Sequence, residues 1–215
     1  MPTTPSPTTT RSMPAVTDRV TDPPVSVLSS ELSTAQVVER QPLAELSTFQ
    51  YIRPMPSSSL GSVLTAQREL LTPALREEIA PLLELHFGEI AHYQDIPLDV
   101  QWPVYQAAQD ADCIRIYTLR DEALLVGYAA FFVKQSPHYA GSKQAASDVV
   151  FLAPYYRGAR SGDSFLAFCD EQLRDEGVQV VYHHLKAAHD WSALLTNRGY
   201  ELMDLVFAKR LDGAT

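Results

Sequence analysis

Cysteine is nearly absent from this 215-residue chain, which has only Cys113 and Cys169. Two thiols exclude a disulfide framework or a four-cysteine metal knuckle. Both lie within apolar stretches, so they are expected to be reduced core thiols, with one buried disulfide as the alternative. Positive charge is also scarce: 17 Lys and Arg stand against 26 Asp and Glu, giving a formal net charge of -9 and a pI near 5.1. Phosphate backbones are bound by clustered cations, so the lack of a long basic run argues against intact nucleic acid as a partner. No stretch approaches the roughly 18 consecutive apolar residues of a membrane-crossing helix. A basic opening followed by an apolar run, the mark of an export signal, is missing too. These absences fit a soluble, cytoplasmic protein.

Pro, Thr and Ser dominate the first thirty residues. Such a composition buries too little to offset the entropy of ordering a backbone, so residues 1–46 are expected to be a disordered tail and residues 47–215 a single domain. Residues 49–55 form a weak apolar segment, an edge strand or more linker, and residues 61–71 a first strand. Thr72 then offers a helix cap ahead of Pro73, whose fixed φ and missing N–H suit a first helical turn. Leu75, Ile79, Leu82, Leu83, Phe87 and Ile90 follow at helical spacing, as a stripe packing on a sheet. A shorter helix is expected from Asp99, carrying Trp102 and Tyr105 inward.

From Cys113 the period changes to two. Residues 113–119, 124–133 and 145–153 read as consecutive antiparallel strands, with a tight turn at Arg120, Asp121 and Glu122. A helix over 163–176 is stopped by Gly177. A strand over 178–182, a short helix over 190–196 and a last strand over 202–209 complete the chain. The order describes a mixed α/β (α+β) fold, with helices on a central sheet that becomes parallel after two strand–helix–strand crossovers.

The most informative stretch follows the apolar strand Val149-Val150-Phe151-Leu152. It ends at Ala153-Pro154, and Tyr155-Tyr156-Arg157-Gly158-Ala159-Arg160-Ser161-Gly162 leads into a helix. Glycines bring the backbone close, the helix's first N–H groups lack intrahelical partners, and two arginines add charge, so the turn suits a phosphate or pyrophosphate. An ordinary loop with solvent-facing arginines is the competing interpretation. It is neither a Walker loop nor a dinucleotide fingerprint.

Residues 150–173 resemble the acetyl-coenzyme A motif of the GCN5-related N-acetyltransferase (GNAT) family, in which a strand ending in proline precedes Arg/Gln-x-x-Gly-x-Gly/Ala and a helix. Arg157 takes the Arg/Gln position and Gly162 the second glycine, while Arg160 stands where the first glycine is usual. The element order from Thr72 to Leu211 is similar to that family as well. The resemblance implies a GNAT-like sheet with antiparallel N-terminal strands and a splayed parallel pair, and acetyl-coenzyme A as substrate without a metal. Backbone groups of Phe151, Leu152 and Ala153 would bond the cofactor's arm. Arg157, Gly158, Ala159, Arg160, Ser161 and Gly162 would hold the pyrophosphate.

For catalysis the resemblance points to Asp148, six residues before Pro154, and to His183 and His184, which end the next strand and must face opposite sides if it stays extended. A turn cap and a hydrogen-bonded structural pair are the corresponding ordinary roles. His92, Tyr93, Asp95 and the 137–139 loop with Tyr139 are candidates for the acceptor side. Many relatives carry a tyrosine acid where this chain has Leu195, so Tyr182, Tyr155 or His189 substitutes, or the thiolate leaves unaided. His183, His184, His189 and Asp190 have no standard metal-site spacing. The expected activity is acetyl transfer to a small-molecule or peptide amine, with a homodimer left open as the assembly. The alternative is a noncatalytic coenzyme A-binding module.

Overall fold

The computed structural model describes residues 63–158 and 160–213. The expected tail, the 49–55 segment and Ala159 lie outside the described residues. β1 (Leu64–Glu69) leads to α1 (Pro73–Ile90) and α2 (Trp102–Asp110). β2 (Ile114–Asp121), β3 (Leu124–Gln135) and β4 (Lys143–Leu152) follow, then a 3-10 turn (Pro154–Tyr156) and α3 (Ser161–Asp175). β5 (Val180–Tyr182) and α4 (Ser192–Asn197) come last. The five strands lie in the order β1-β2-β3-β4-β5, all neighbours antiparallel except β4 and β5.

Helices cover both faces, so the central strands bury both sides rather than alternating apolar and polar. On one face Leu75, Ile79 and Leu82 of α1 pack on Ile114, Ile116, Tyr128, Ala130 and Phe151, with Trp102 and Tyr105 of α2 at the margin. On the other, Phe165, Cys169 and Leu173 of α3 pack on Tyr117, Val126, Ala129, Phe131 and Val133. Thr72 caps α1 as expected, its Oγ1 accepting the Leu75 N–H at 3.1 Å. Gly177, at φ 82°, ends α3 in a Schellman motif: its N–H reaches Arg174 O and the Val178 N–H reaches Leu173 O.

Several expectations need correction. α2 begins at Trp102 rather than Asp99, because Pro103 has no N–H to bond back to the Asp99 carbonyl and fits only the first turn of a helix. The β2–β3 turn falls at Glu122 and Ala123, Glu122 taking a left-handed φ of 53°. Cys169 is buried but Cys113 is exposed, so only one thiol belongs to the core. The last strand over 202–209 does not form: the segment has strand-like composition but no ladder partner among the described residues, and its side chains stand in solvent. Among the described residues only one strand–helix–strand crossover, β4–α3–β5, therefore joins the sheet.

Candidate functional site

β4 and β5 pair only at Gln144–Val180, Ala145–Val181 and Ala146–Tyr182. β4 then continues to Leu152 while β5 ends at Tyr182, so among the described residues the β5-facing edge of residues 147–152 has no strand beside it. The β3 side is interrupted at the same point. Ala130 pairs with Val149 and Phe131 with Ser147, leaving Asp148 as the extra residue of a β-bulge. A bulge twists its strand and re-aims a side chain. Here it turns Asp148 outward beside the parting.

A cavity of about 620 Å³ fills the opening, within the roughly 300–1,000 Å³ usual for small-molecule sites. Its β4 wall is Ser147, Asp148, Val150, Phe151 and Leu152, and α1 contributes His86, Glu89 and Ile90. The turn and α3 supply Arg157, Gly158, Arg160, Gly162, Asp163 and Leu166. His184, Lys186, His189, Trp191 and Leu194 close the far side. Asp148 is held from outside the cavity by α2, where the Tyr105 hydroxyl donates to its Oδ2 at 2.6 Å. Burial, and then this hydrogen bond, raise the Tyr105 phenol well above its ordinary pKa, so it stays a donor.

The turn is latched to α1. Arg157 donates from Nε to the Leu152 carbonyl at 2.8 Å and from one terminal nitrogen to both Glu89 oxygens at 2.9 and 2.8 Å. Its guanidinium also lies over the Phe151 ring, 5.1 Å from the centroid. This fork geometry is one that lysine cannot reproduce. Arg160 caps α3 in the left-handed region at φ 70°, the conformation a glycine takes most easily. Among the described residues its guanidinium has no acidic partner. His86 stacks near Phe151, with centroids 5.0 Å apart, and burial lowers its pKa to about 4, keeping it neutral at pH 7.

Of the expected residues, Asp148, His184, Phe151, Leu152, Arg157, Gly158, Arg160 and Gly162 meet around the cavity. Two expected backbone contacts are already engaged: the Ala153 N–H binds Val126 O, and the Leu152 carbonyl accepts from Arg157, leaving one lone pair. The Ser161 N–H is taken by Gly158 O. β5 ends at Tyr182, so His183 and His184 follow the strand rather than end it as expected; His183 packs into Phe131, Trp191 and Tyr200 at centroid distances of 5.6, 5.6 and 5.1 Å. Neither of its ring nitrogens has a partner among the described residues. His92, Tyr93 and Tyr139 do not line the cavity. Tyr93 lies under the Arg210 guanidinium and Tyr139 is exposed.

Of the three substitutes for the missing tyrosine, only His189 reaches the cavity, 3.8 Å from Glu89. Sequence reasoning missed His86, Glu89, Lys186 and Tyr105. The three-residue spacing of His86 and Glu89, one helical turn, was a usable signal. Among the described residues no group of three or more His, Cys, Asp or Glu converges as a metal site.

No protein-family profile and no curated protein matches the chain. Solved structures do. An aminoglycoside acetyltransferase from an uncultured soil metagenomic sample matches at TM-score 0.55 and 14% identity, over 69% of this chain and 97% of that one. Glucosamine-6-phosphate N-acetyltransferase from Arabidopsis thaliana matches at 0.55 and 12%, over 70% and 99%. Ribosomal-protein-alanine N-acetyltransferase from Brucella melitensis biovar Abortus 2308 matches at 0.53 and 14%, over 70% and 100%. At these identities what is shared is the fold.

Proposed function

We propose that this chain transfers an acetyl group from acetyl-coenzyme A to an amine. The observation that carries the reading is the parting of β4 from β5 beside a bulge whose extra residue, Asp148, stands at the rim of a cavity of small-molecule size. The unpaired edge of β4 is suited to an extended amide-bearing arm, which would add to it as a strand does. The glycine turn, the first turn of α3 and the unpartnered Arg160, with Lys186 opposite, suit the phosphates.

In this reading the neutral amine attacks the thioester carbonyl. Its nitrogen–carbon bond forms as the carbonyl π pair moves to oxygen, and Asp148, oriented by Tyr105, takes the ammonium proton. When the tetrahedral oxyanion collapses, the carbon–sulfur bond breaks and the thiolate carries away the pair. A thiol pKa near 8.5 lets it leave without a dedicated acid, consistent with a buried leucine at position 195. His184 and the neutral His86 face the same space, and Glu89 serves through its hold on Arg157. Similar structures carry names that span sugar and protein amines, so the acceptor is proposed only as a small-molecule or peptide amine, with His92, Tyr93 and Tyr139 outside the cavity as its outer contacts. We also propose residues 47–215 as one acetyltransferase-like domain behind a Pro/Thr/Ser-rich tail.

The test is thiol release from acetyl-coenzyme A over an amine panel, alongside calorimetric binding. Asp148→Asn should lower kcat by roughly 100-fold, as loss of a general base does, while leaving acetyl-coenzyme A affinity intact. Binding without thiol release for any amine would favour the noncatalytic module. Absence of binding would refute both.

A further inference from the structure

His86 is the titratable group of the cavity to which the reaction above gives no task. It lies one helical turn before Glu89 on α1, lines the cavity, and its ring rests near Phe151 of β4 at a centroid distance of 5.0 Å. Neither ring nitrogen has a hydrogen-bond partner among the described residues. Burying a polar group costs free energy unless something meets it, so an unmet one on the wall of a ligand cavity points to the ligand. The charged and titratable groups that act on the imidazole come from every element around it: Glu89 on α1, Arg157 in the turn, His189 beyond β5 and Asp148 on β4. Burial outweighs the two carboxylates and brings the ring down to about 4, so at pH 7 it carries one N–H donor and one bare nitrogen.

Acetyl transfer gives the amine proton a destination, Asp148, and lets the thiolate leave on its own. It also needs a donor for the carbonyl oxygen as charge builds there. Arg157 is engaged by Glu89 and the Leu152 carbonyl, and Arg160 and Lys186 are proposed for the phosphates. His184 sits on a stretch without helix or strand, whereas His86 is fixed on a helix and packed on the wall it faces. A donor on a rigid element needs no reorganisation as the charge develops.

We propose that His86 donates its N–H to the carbonyl oxygen of the bound thioester, an inference that rests on the acetyl-transfer reading. As the nitrogen–carbon bond forms and the π pair moves to oxygen, the hydrogen bond strengthens. When the pair returns and the carbon–sulfur bond breaks, it relaxes. No proton changes hands, so the imidazole leaves the cycle as it entered. A neutral donor suits the place better than an imidazolium, which would repel an incoming ammonium and attract the Asp148 carboxylate away from it.

Infrared difference spectra of acetyl-coenzyme A labelled with heavy carbon at the carbonyl, bound without an amine, read this contact directly. The C=O stretch should lie at lower frequency on the wild type than on His86→Leu, and His86→Gln, whose amide restores a donor, should lie close to the wild type. His86→Leu should lose about 100-fold in kcat, as removal of one oxyanion donor does, with calorimetric affinity for acetyl-coenzyme A kept within about 3-fold, and His86→Gln should regain about 10-fold. If leucine unfolds the chain, His86→Phe, which keeps a ring against Phe151, is the donorless variant. A carbonyl band that is the same with and without the donor overturns the proposal, as does a donorless variant that raises KM while kcat stands. Binding and turnover with an unshifted band refute this inference alone. A wild type that binds no acetyl-coenzyme A refutes the acetyl-transfer reading and the inference with it.

Discussion

His183→Phe separates a structural histidine from a catalytic one. Burial holds its imidazole down to about 4, against an ordinary 6.5, and its two nitrogens sit unpartnered among three aromatic rings. A histidine with a lowered folded pKa contributes stability that is complete above the unfolded value and is lost as pH falls from 6.5 toward 4. Between pH 8 and pH 5 the linkage relation makes this loss about 2 kcal/mol at most. His86, likewise lowered to about 4 by burial, adds a similar amount. The wild type should therefore lose about 4 kcal/mol over that interval and His183→Phe about 2 kcal/mol, since pH 5 lies above most carboxylate titration. Urea unfolding at the two pH values measures the difference, and thiol release measured in parallel should be unchanged. If the variant loses as much stability as the wild type, the ring is not held neutral in the core. If turnover falls with the fold intact, His183 belongs to the reaction.

Tyr105→Phe removes the hydroxyl that orients Asp148 and should lower kcat by about 10-fold with little change in KM for acetyl-coenzyme A; an unchanged kcat, or a rise in KM alone, would count against the positioning role. Gly127→Ala places a Cβ 2.9 Å from the Phe151 carbonyl and 3.1 Å from Leu152 Cγ, so calorimetry should show weaker acetyl-coenzyme A binding and unfolding a loss of about 1–3 kcal/mol. Arg160→Gly should relieve left-handed strain and stabilise the fold by about 1 kcal/mol while weakening acetyl-coenzyme A in a salt-dependent way. Equal affinity at low and high salt would detach the Arg160 side chain from the phosphates.

The cofactor turn was legible because its signals are local: an apolar run, a proline, glycines and a helix face lie consecutively in the chain. Asp148 was legible only by analogy, since a bulge arises from the mismatch between two strands' registers and leaves no mark on one of them. Glu89 and Tyr105 were hidden for a related reason. Each acts on a residue 43 or more positions away, Arg157 and Asp148, across helix–strand contacts that periodicity cannot pair. His183 and His184 lie just past the end of β5, so alternation could settle neither their directions nor which one meets the cavity. The final segment carries strand propensity without a partner, and propensity is blind to where the missing edge lies.

The far wall of the cavity is joined to the sheet by three residue pairs and is tied to α3 by Arg198, which reaches Asp163 and Asp170 at 2.8 Å each, and by the Tyr200 hydroxyl on Asp170. Ligand affinity is scaled by the fraction of molecules in which that wall stands in place. Arg198 does not itself line the cavity but holds Asp163, which does, so affinity can be tuned from one contact behind the site.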